Sequence, residues 1–154
     1  MKIAISSDHR GRDAVRHLAE RLQSAGHDVN VFGDEEGQAS DYPDQAAAVG
    51  RAVADDTCEA GILICGTGIG MSIAANKVRG VRAAAVHDEL TARLSRSHNN
   101  ANVLCVSADL LGERKIDDIV DTWLRTDFEG GRHERRVNKI AELEAGTGET
   151  AAGC

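Results

Sequence analysis

Aromatic side chains are scarce in this chain: phenylalanine, tryptophan and tyrosine together make up 3% of its 154 residues. A site that stacks a flavin or a nucleobase between rings has little to draw on. Proline occurs once, at Pro43, and no linker or internal repeat breaks the chain. No apolar run approaches the roughly 20 residues that cross a bilayer. The start, MKIAISSDHRG, turns polar by Ser6 and lacks the apolar stretch of a secretory signal. Positive charge is also in short supply. The net charge of −7 and pI near 5.3 argue against a nucleic-acid or anionic-membrane partner. The four cysteines, Cys58, Cys65, Cys105 and Cys154, form no C-x-x-C pair. That usage fits a reducing compartment, so a cytoplasmic protein is expected. The length suits one domain with a real core. Its expected span is 1–144, and 145–154, rich in glycine and alanine, reads as a frayed tail.

What is present is alternation. KIAIS (2–6) reads as a strand, and 12–25 carries apolar residues at Ala14, Val15, Leu18, Ala19 and Leu22, the spacing of an amphipathic helix. A second strand is expected at 28–32 and an acidic loop at 33–42. An alanine-rich helix follows, with Pro43 in its first turn. Further strands are expected at 61–65, 81–86 and 101–106. The helices expected with them begin near Met71 and span 89–97, 113–126 and 132–143. Five strands alternating with helices predict βαβ units and a parallel sheet covered on both faces. The expected fold class is α/β: a doubly wound, Rossmann-like, three-layer αβα sandwich with strand order 2-1-3-4-5 and an extra C-terminal helix.

The most informative stretch is AGILICGTGIGMSIAA (60–75). A buried strand breaks into glycines at Gly66, Gly68 and Gly70 and resumes as a helix, so several backbone N–H groups meet at one point. Such a turn suits an anion or a developing oxyanion. Cys65 stands at the strand's end beside those donors, the place for a base or nucleophile next to an oxyanion hole. Two familiar patterns fail on spacing: a dinucleotide fingerprint from Gly66 would need glycine where Met71 stands, and a P-loop needs a lysine that does not come before Lys77. The bland alternative makes Cys65 a buried small hydrophobe.

In a doubly wound sheet, ligands bind beyond the strands' carboxyl ends at the switch between strands one and three. That places Ser7-Asp8-His9 opposite the glycine turn. The candidate residues are Asp8, His9, Cys65, Thr67, His98 and Asn99, with Arg132 and Arg136 four apart on one helix face, able to share a phosphate. A base beside an oxyanion hole, a histidine and an anionic handle suit proton transfer next to a carbonyl. His17, His27 and His87 read as structural or surface residues. No zinc-like ligand spacing occurs, so no metal is expected. A Cys-His hydrolase lacks an identifiable orienting residue.

At these residues the chain resembles the ribose-5-phosphate isomerase type B family, within the group that includes galactose-6-phosphate isomerase subunits. The similar segments are Ser7-Asp8-His9, Asp41-Tyr42-Pro43, GILICGTGIGMSIAANKVRGVRA (61–83), LSRSHNNANVL (94–104), IVDTWL (119–124) and FEGGRHERRV (128–137). The resemblance implies an aldose–ketose isomerase that interconverts ribose 5-phosphate and ribulose 5-phosphate through a cis-enediolate. Cys65 would be the base, since Met71 occupies the position of a second branch's glutamate. The amides of Gly66, Thr67, Gly68, Ile69 and Gly70 would hold the enediolate oxygen, with Thr67 assisting. His98, with Asp8, would open the sugar ring. His9, Arg132 and Arg136 would hold the phosphate, and Asn99 the sugar. No metal or organic cofactor is implied. A homodimer or dimer of dimers with shared active sites is. Many members carry arginine where Asp109 stands here. A carboxylate near a dianion is unfavourable unless it points away or the substrate sits differently, so another phosphorylated sugar (tetrose, allose or galactose phosphate) is the alternative substrate. A subunit active only beside a paralogue is a further alternative, and a non-catalytic, flavodoxin-like nucleotide-binding module the alternative from another class.

Overall fold

The computed structural model describes residues 1–33 and 41–147. The expected acidic loop lies largely outside the described residues, as do Cys154 and most of the expected tail. The chain runs β1 (Lys2–Ser7), α1 (Arg12–Ser24), β2 (Asp28–Phe32), α2 (Tyr42–Ala54), β3 (Ala60–Cys65), α3 (Ile69–Ala75), β4 (Ala83–Ala85), α4 (Glu89–Asn99), β5 (Val103–Ser107), α5 (Glu113–Leu124) and α6 (Arg132–Glu144). The expected alternation and the extra C-terminal helix are present.

All pairings are parallel, and the order is β2-β1-β3-β5-β4. This corrects the expected order at its last two places. β5 is buried at every residue, and β4 is only three half-exposed alanines. An interior strand must bury side chains on both faces. Val-Leu-Cys-Val-Ser can do so, whereas a short run of methyl groups flanked by Arg82 is suited to the edge. The expected strand at 81–86 accordingly shrinks to its centre.

Alternate strand residues supply two core layers. Ile3, Ile5, Ile62, Ile64, Leu104 and Val106 pack with Leu18 and Leu22 of α1 and with Ile119 and Trp123 of α5. Ala4, Leu63, Cys65, Val103 and Cys105 pack with Val49 and Val53 of α2 and Met71 of α3. The approach of α2 is close: a Cβ on Gly61 would lie 2.7 Å from Val49 Cγ1. Because β3 lies between β1 and β5, with Ser7 beside Ile64 and Cys65 beside Ser107, the exits of these three strands emerge side by side.

Candidate active site

β3 ends at Cys65, whose residue is 5% exposed. Its Sγ accepts the Gly68 N–H at 3.1 Å. That bond requires the chain to double back, and Gly68 does so with φ of 78°, in the left-handed region glycine adopts without strain. Gly68 also lies against the β5 backbone, since a Cβ there would sit 3.2 Å from the Val106 carbonyl carbon. The Ile69 N–H donates to Thr67 Oγ1 at 3.3 Å.

The strand end and the turn are fastened from both sides. On the β5 side, the Ala108 N–H donates to the Cys65 carbonyl at 2.8 Å and the Asp109 N–H to the Gly66 carbonyl at 3.2 Å. The fully buried Ser107 hydroxyl donates to the same Gly66 carbonyl at 2.6 Å and accepts the Leu110 N–H at 2.9 Å. On the β1 side, the Asp8 N–H donates to the Ile64 carbonyl at 3.3 Å, and Asp8 Oδ1 accepts the Arg10 N–H at 2.8 Å. Asp8 is 9% exposed, and His9 beside it is exposed. The Tyr42 ring covers Gly70, where an added Cβ would come within 2.8 Å of it. His87 Nε2 lies 3.3 Å from the Thr67 carbonyl oxygen and donates to it when protonated there. One strand over, Cys105 is sealed in the core. Burial, and then proximity to Cys65, pushes its thiol up, so it stays neutral.

A second cluster forms where α4 meets α6. His98 and Asn99, just beyond the helix expected at 89–97, form the last residues of α4, and Asn100 caps it with φ of 47°. Asparagine tolerates that left-handed cap, so the helix runs further than its polar sequence indicates. The His98 and His133 rings stack with centroids 4.1 Å apart and planes 6° from parallel. Glu129 Oε2 lies 3.9 Å from His98 Nε2 and 3.7 Å from His133 Nε2. Arg132 Nε donates to His133 Nε2 at 3.3 Å. Burial of His133, followed by the charges of His98 and Arg132, lowers its pKa. The three groups offer ligand atoms within 4.8 Å of one another. Parallel ring planes, however, aim their nitrogen lone pairs side by side rather than at one point, a poor fit to a tetrahedral ion.

The structure therefore gathers Asp8, His9, Cys65, Gly66, Thr67, Gly68, Ile69 and Gly70 at one crevice. His98, Arg132 and Arg136 belong elsewhere on the same chain. Arg132 and Arg136 are exposed on α6, which packs against α4. Among the described residues, neither bonds to the Cys65–Gly70 turn. Sequence reasoning missed Arg10, Tyr42, His87, Ser107 and His133. Two of these had a signal in the neighbouring residues: Arg10 follows Asp8-His9, and His133 lies inside GGRH.

Comparison with known proteins gives this architecture a lineage. Residues 3–140 match the Ribose/Galactose Isomerase family. Ribose-5-phosphate isomerase B of Escherichia coli is 44% identical over 147 residues, covering 93% of this chain and 96% of that protein. D-erythrulose-4-phosphate isomerase of Pectobacterium atrosepticum is 39% identical over 145 residues, covering 94% and 95%. The structure of Mycoplasma genitalium ribose-5-phosphate isomerase B with bound ribulose-5-phosphate superposes with a TM-score of 0.90 at 44% identity, over 94% of this chain and 96% of that one. With a family match across nine-tenths of its length, a shared fold and relatives of this similarity, the chain belongs to the Ribose/Galactose Isomerase family.

Proposed function

We propose that this chain interconverts ribose 5-phosphate and ribulose 5-phosphate, with Cys65 as the base. The observation that carries the reading is the sulfur at the exit of β3, held by the Gly68 N–H in a turn bonded to the exit of β5, while the strand end before it is bonded to the exit of β1. Cys65 Sγ takes the proton from C2 of the open-chain aldose, and the C1 carbonyl oxygen becomes the enediolate oxygen. The O2 proton passes to O1, the electron pair left on O2 forms the C2 carbonyl, and Cys65 returns its proton to C1, giving the ketose with no net oxidation and no net change in protons. The amides of 66–70 and Thr67 hold the oxygen while it carries charge. Asp8 and His98 open the ring, Asn99 orients the sugar, and His9, Arg132 and Arg136 bind the phosphate.

Two copies complete the site. The arginines and His98 reach the crevice of a partner chain rather than their own, in a homodimer or dimer of dimers within the cytoplasm. The apolar side chains Ile69 and Ile73, one turn apart on α3 and 53% and 59% exposed, supply surface that such contact would cover. Residues 1–144 act as one unit. Similarity to an erythrulose-phosphate isomerase supports a second reading, the same chemistry on a tetrose phosphate. Membership in an isomerase family leaves the nucleotide-binding alternative without support. No helix among the described residues is long and apolar enough to cross a membrane.

The test is an isomerisation assay on ribose 5-phosphate and erythrulose 4-phosphate with wild type and Cys65→Ala. The variant should keep its circular dichroism spectrum and lose on the order of 10³-fold in kcat. Turnover surviving that change would remove Cys65 from the mechanism.

A further inference from the structure

We infer that Arg10 is a ligand of the substrate's phosphate, and that Asp109 is the positioning residue that aims it. This rests on the isomerase reading and adds to it a cation that the sequence analysis did not assign. Arg10 leaves β1 two residues after Asp8, and Asp109 leaves β5 two residues after Ser107. Since β3 lies between those strands, a link between the two side chains crosses the end of β3 at Gly66. The structure shows that link: Arg10 Nε donates to Asp109 Oδ1 at 3.1 Å, and Nη2 lies 2.8 Å from the same oxygen in an ion pair. The carboxylate is fixed in turn by its own backbone, whose N–H bonds the Gly66 carbonyl. Its other oxygen sits 3.0 Å from where a Cβ on Gly66 would be, so it lies directly over the glycine turn.

An unpaired carboxylate at that point would repel an anion. The pairing cancels its charge and does more. A guanidinium carries five N–H donors in a planar fork. One, on Nε, is taken by Oδ1, and the two Nη groups have no hydrogen-bond acceptor among the described residues. The edge that the Nη groups form suits two-point contact with phosphate oxygens. Side chains 54% and 38% exposed place this edge in solvent. A half-exposed pair adds little to stability. That is too little to explain the arrangement as a structural clamp, while the cost of an uncompensated carboxylate beside a bound dianion is considerably larger. The departure at Asp109 thus leaves the crevice with a cation, delivered from the neighbouring loop.

The experiment compares wild type, Arg10→Ala, Arg10→Lys and Asp109→Asn by steady-state kinetics on ribose 5-phosphate and by calorimetric titration with inorganic phosphate. Arg10→Ala should raise KM about tenfold or more with kcat within about threefold, the pattern of lost uniform binding. Its phosphate affinity should weaken in parallel. Arg10→Lys should recover part of both, and Asp109→Asn should weaken both by a smaller factor, with thermal unfolding unchanged throughout. Unchanged KM and phosphate affinity in Arg10→Ala would overturn the assignment. Tighter phosphate binding by Asp109→Asn would overturn the positioning role, because it would show the carboxylate acting only as a repulsive charge. If wild type isomerises neither ribose 5-phosphate nor erythrulose 4-phosphate, the functional reading fails by itself, and the phosphate titration then decides Arg10 alone.

Discussion

The Cys65 crevice and the His98–His133 cluster are built by opposite means. The first is made of backbone: the end of β3 is bonded to the β1 exit, and the glycine turn is bonded to the β5 exit and rests on a fully buried Ser107. The second is made of side chains, an imidazole stack flanked by a partly exposed glutamate and by arginines on an exposed helix face. Backbone bonds between buried strands resist local opening, whereas exposed ion pairs add little. In the proposed reading the rigid cluster takes the reacting atoms and the adjustable one the charged tail. On that reading His98, Arg132 and Arg136 of one copy join Arg10 at the crevice of another, and each cluster is half of a site.

The largest effect comes from separating the halves on different copies. Cys65→Ala and His98→Asn should each be nearly inactive alone. When the two are co-expressed and dimers assort at random, half are heterodimers, and each of those has one of its two sites free of both lesions. About a quarter of wild-type activity should return. If no activity returns although mass spectrometry shows mixed dimers, both halves serve a site within one chain and the comparison collapses.

A smaller effect tests the rigidity of the crevice. Gly68→Ala forces a left-handed backbone at a cost of about 1–2 kcal/mol, and its Cβ would press on the β5 backbone at 3.2–3.3 Å. It should lower the urea midpoint and reduce kcat by shifting the donor that holds Cys65 Sγ. In contrast, Arg136→Ala should change KM with the midpoint unmoved. Equal stability losses in both would mean that the two regions are not differently built.

Much of the crevice was readable because its signals are local. The strand–glycine–helix pattern places Cys65, and the switch-point rule places Asp8 and His9 across from it. The strand order was not readable at its far end. Apolar periodicity reports that 81–86 and 101–106 are strands, not which is the neighbour of β3. The signal that separates them is side-chain volume, three alanines against valine, leucine and cysteine. Asp109 read alone looked hostile to phosphate because its partner, Arg10, lies 99 residues away in sequence. Pairings of that range depend on topology and so needed the strand order first. Ser-His-Asn-Asn is polar and carries no apolar spacing to extend the helix past 97, yet Asn100 caps it and leaves His98 in its last turn, where it can stack on His133.

The smallest predicted effect concerns that stack. His133 is buried, and its protonated form is disfavoured first by burial and then by the charges of His98 and Arg132, so its pKa in the fold lies below the ordinary value of about 6.5. As pH falls below that value, the unfolded chain takes up the proton before the folded one does, so acid favours unfolding. The stability tied to a neutral His133 is fully present above about pH 6.5 and is lost as pH falls through the lowered folded value. Wild type should lose more in Tm between pH 7.5 and 5 than His133→Gln does, by no more than about 2 °C. The slope is the readout, since the substitution also removes a ring contact and shifts Tm at every pH. A wild-type slope equal to or shallower than the variant's would show that His133 carries its proton within the stack, and Glu129 would then be its ion-pair partner rather than a bystander.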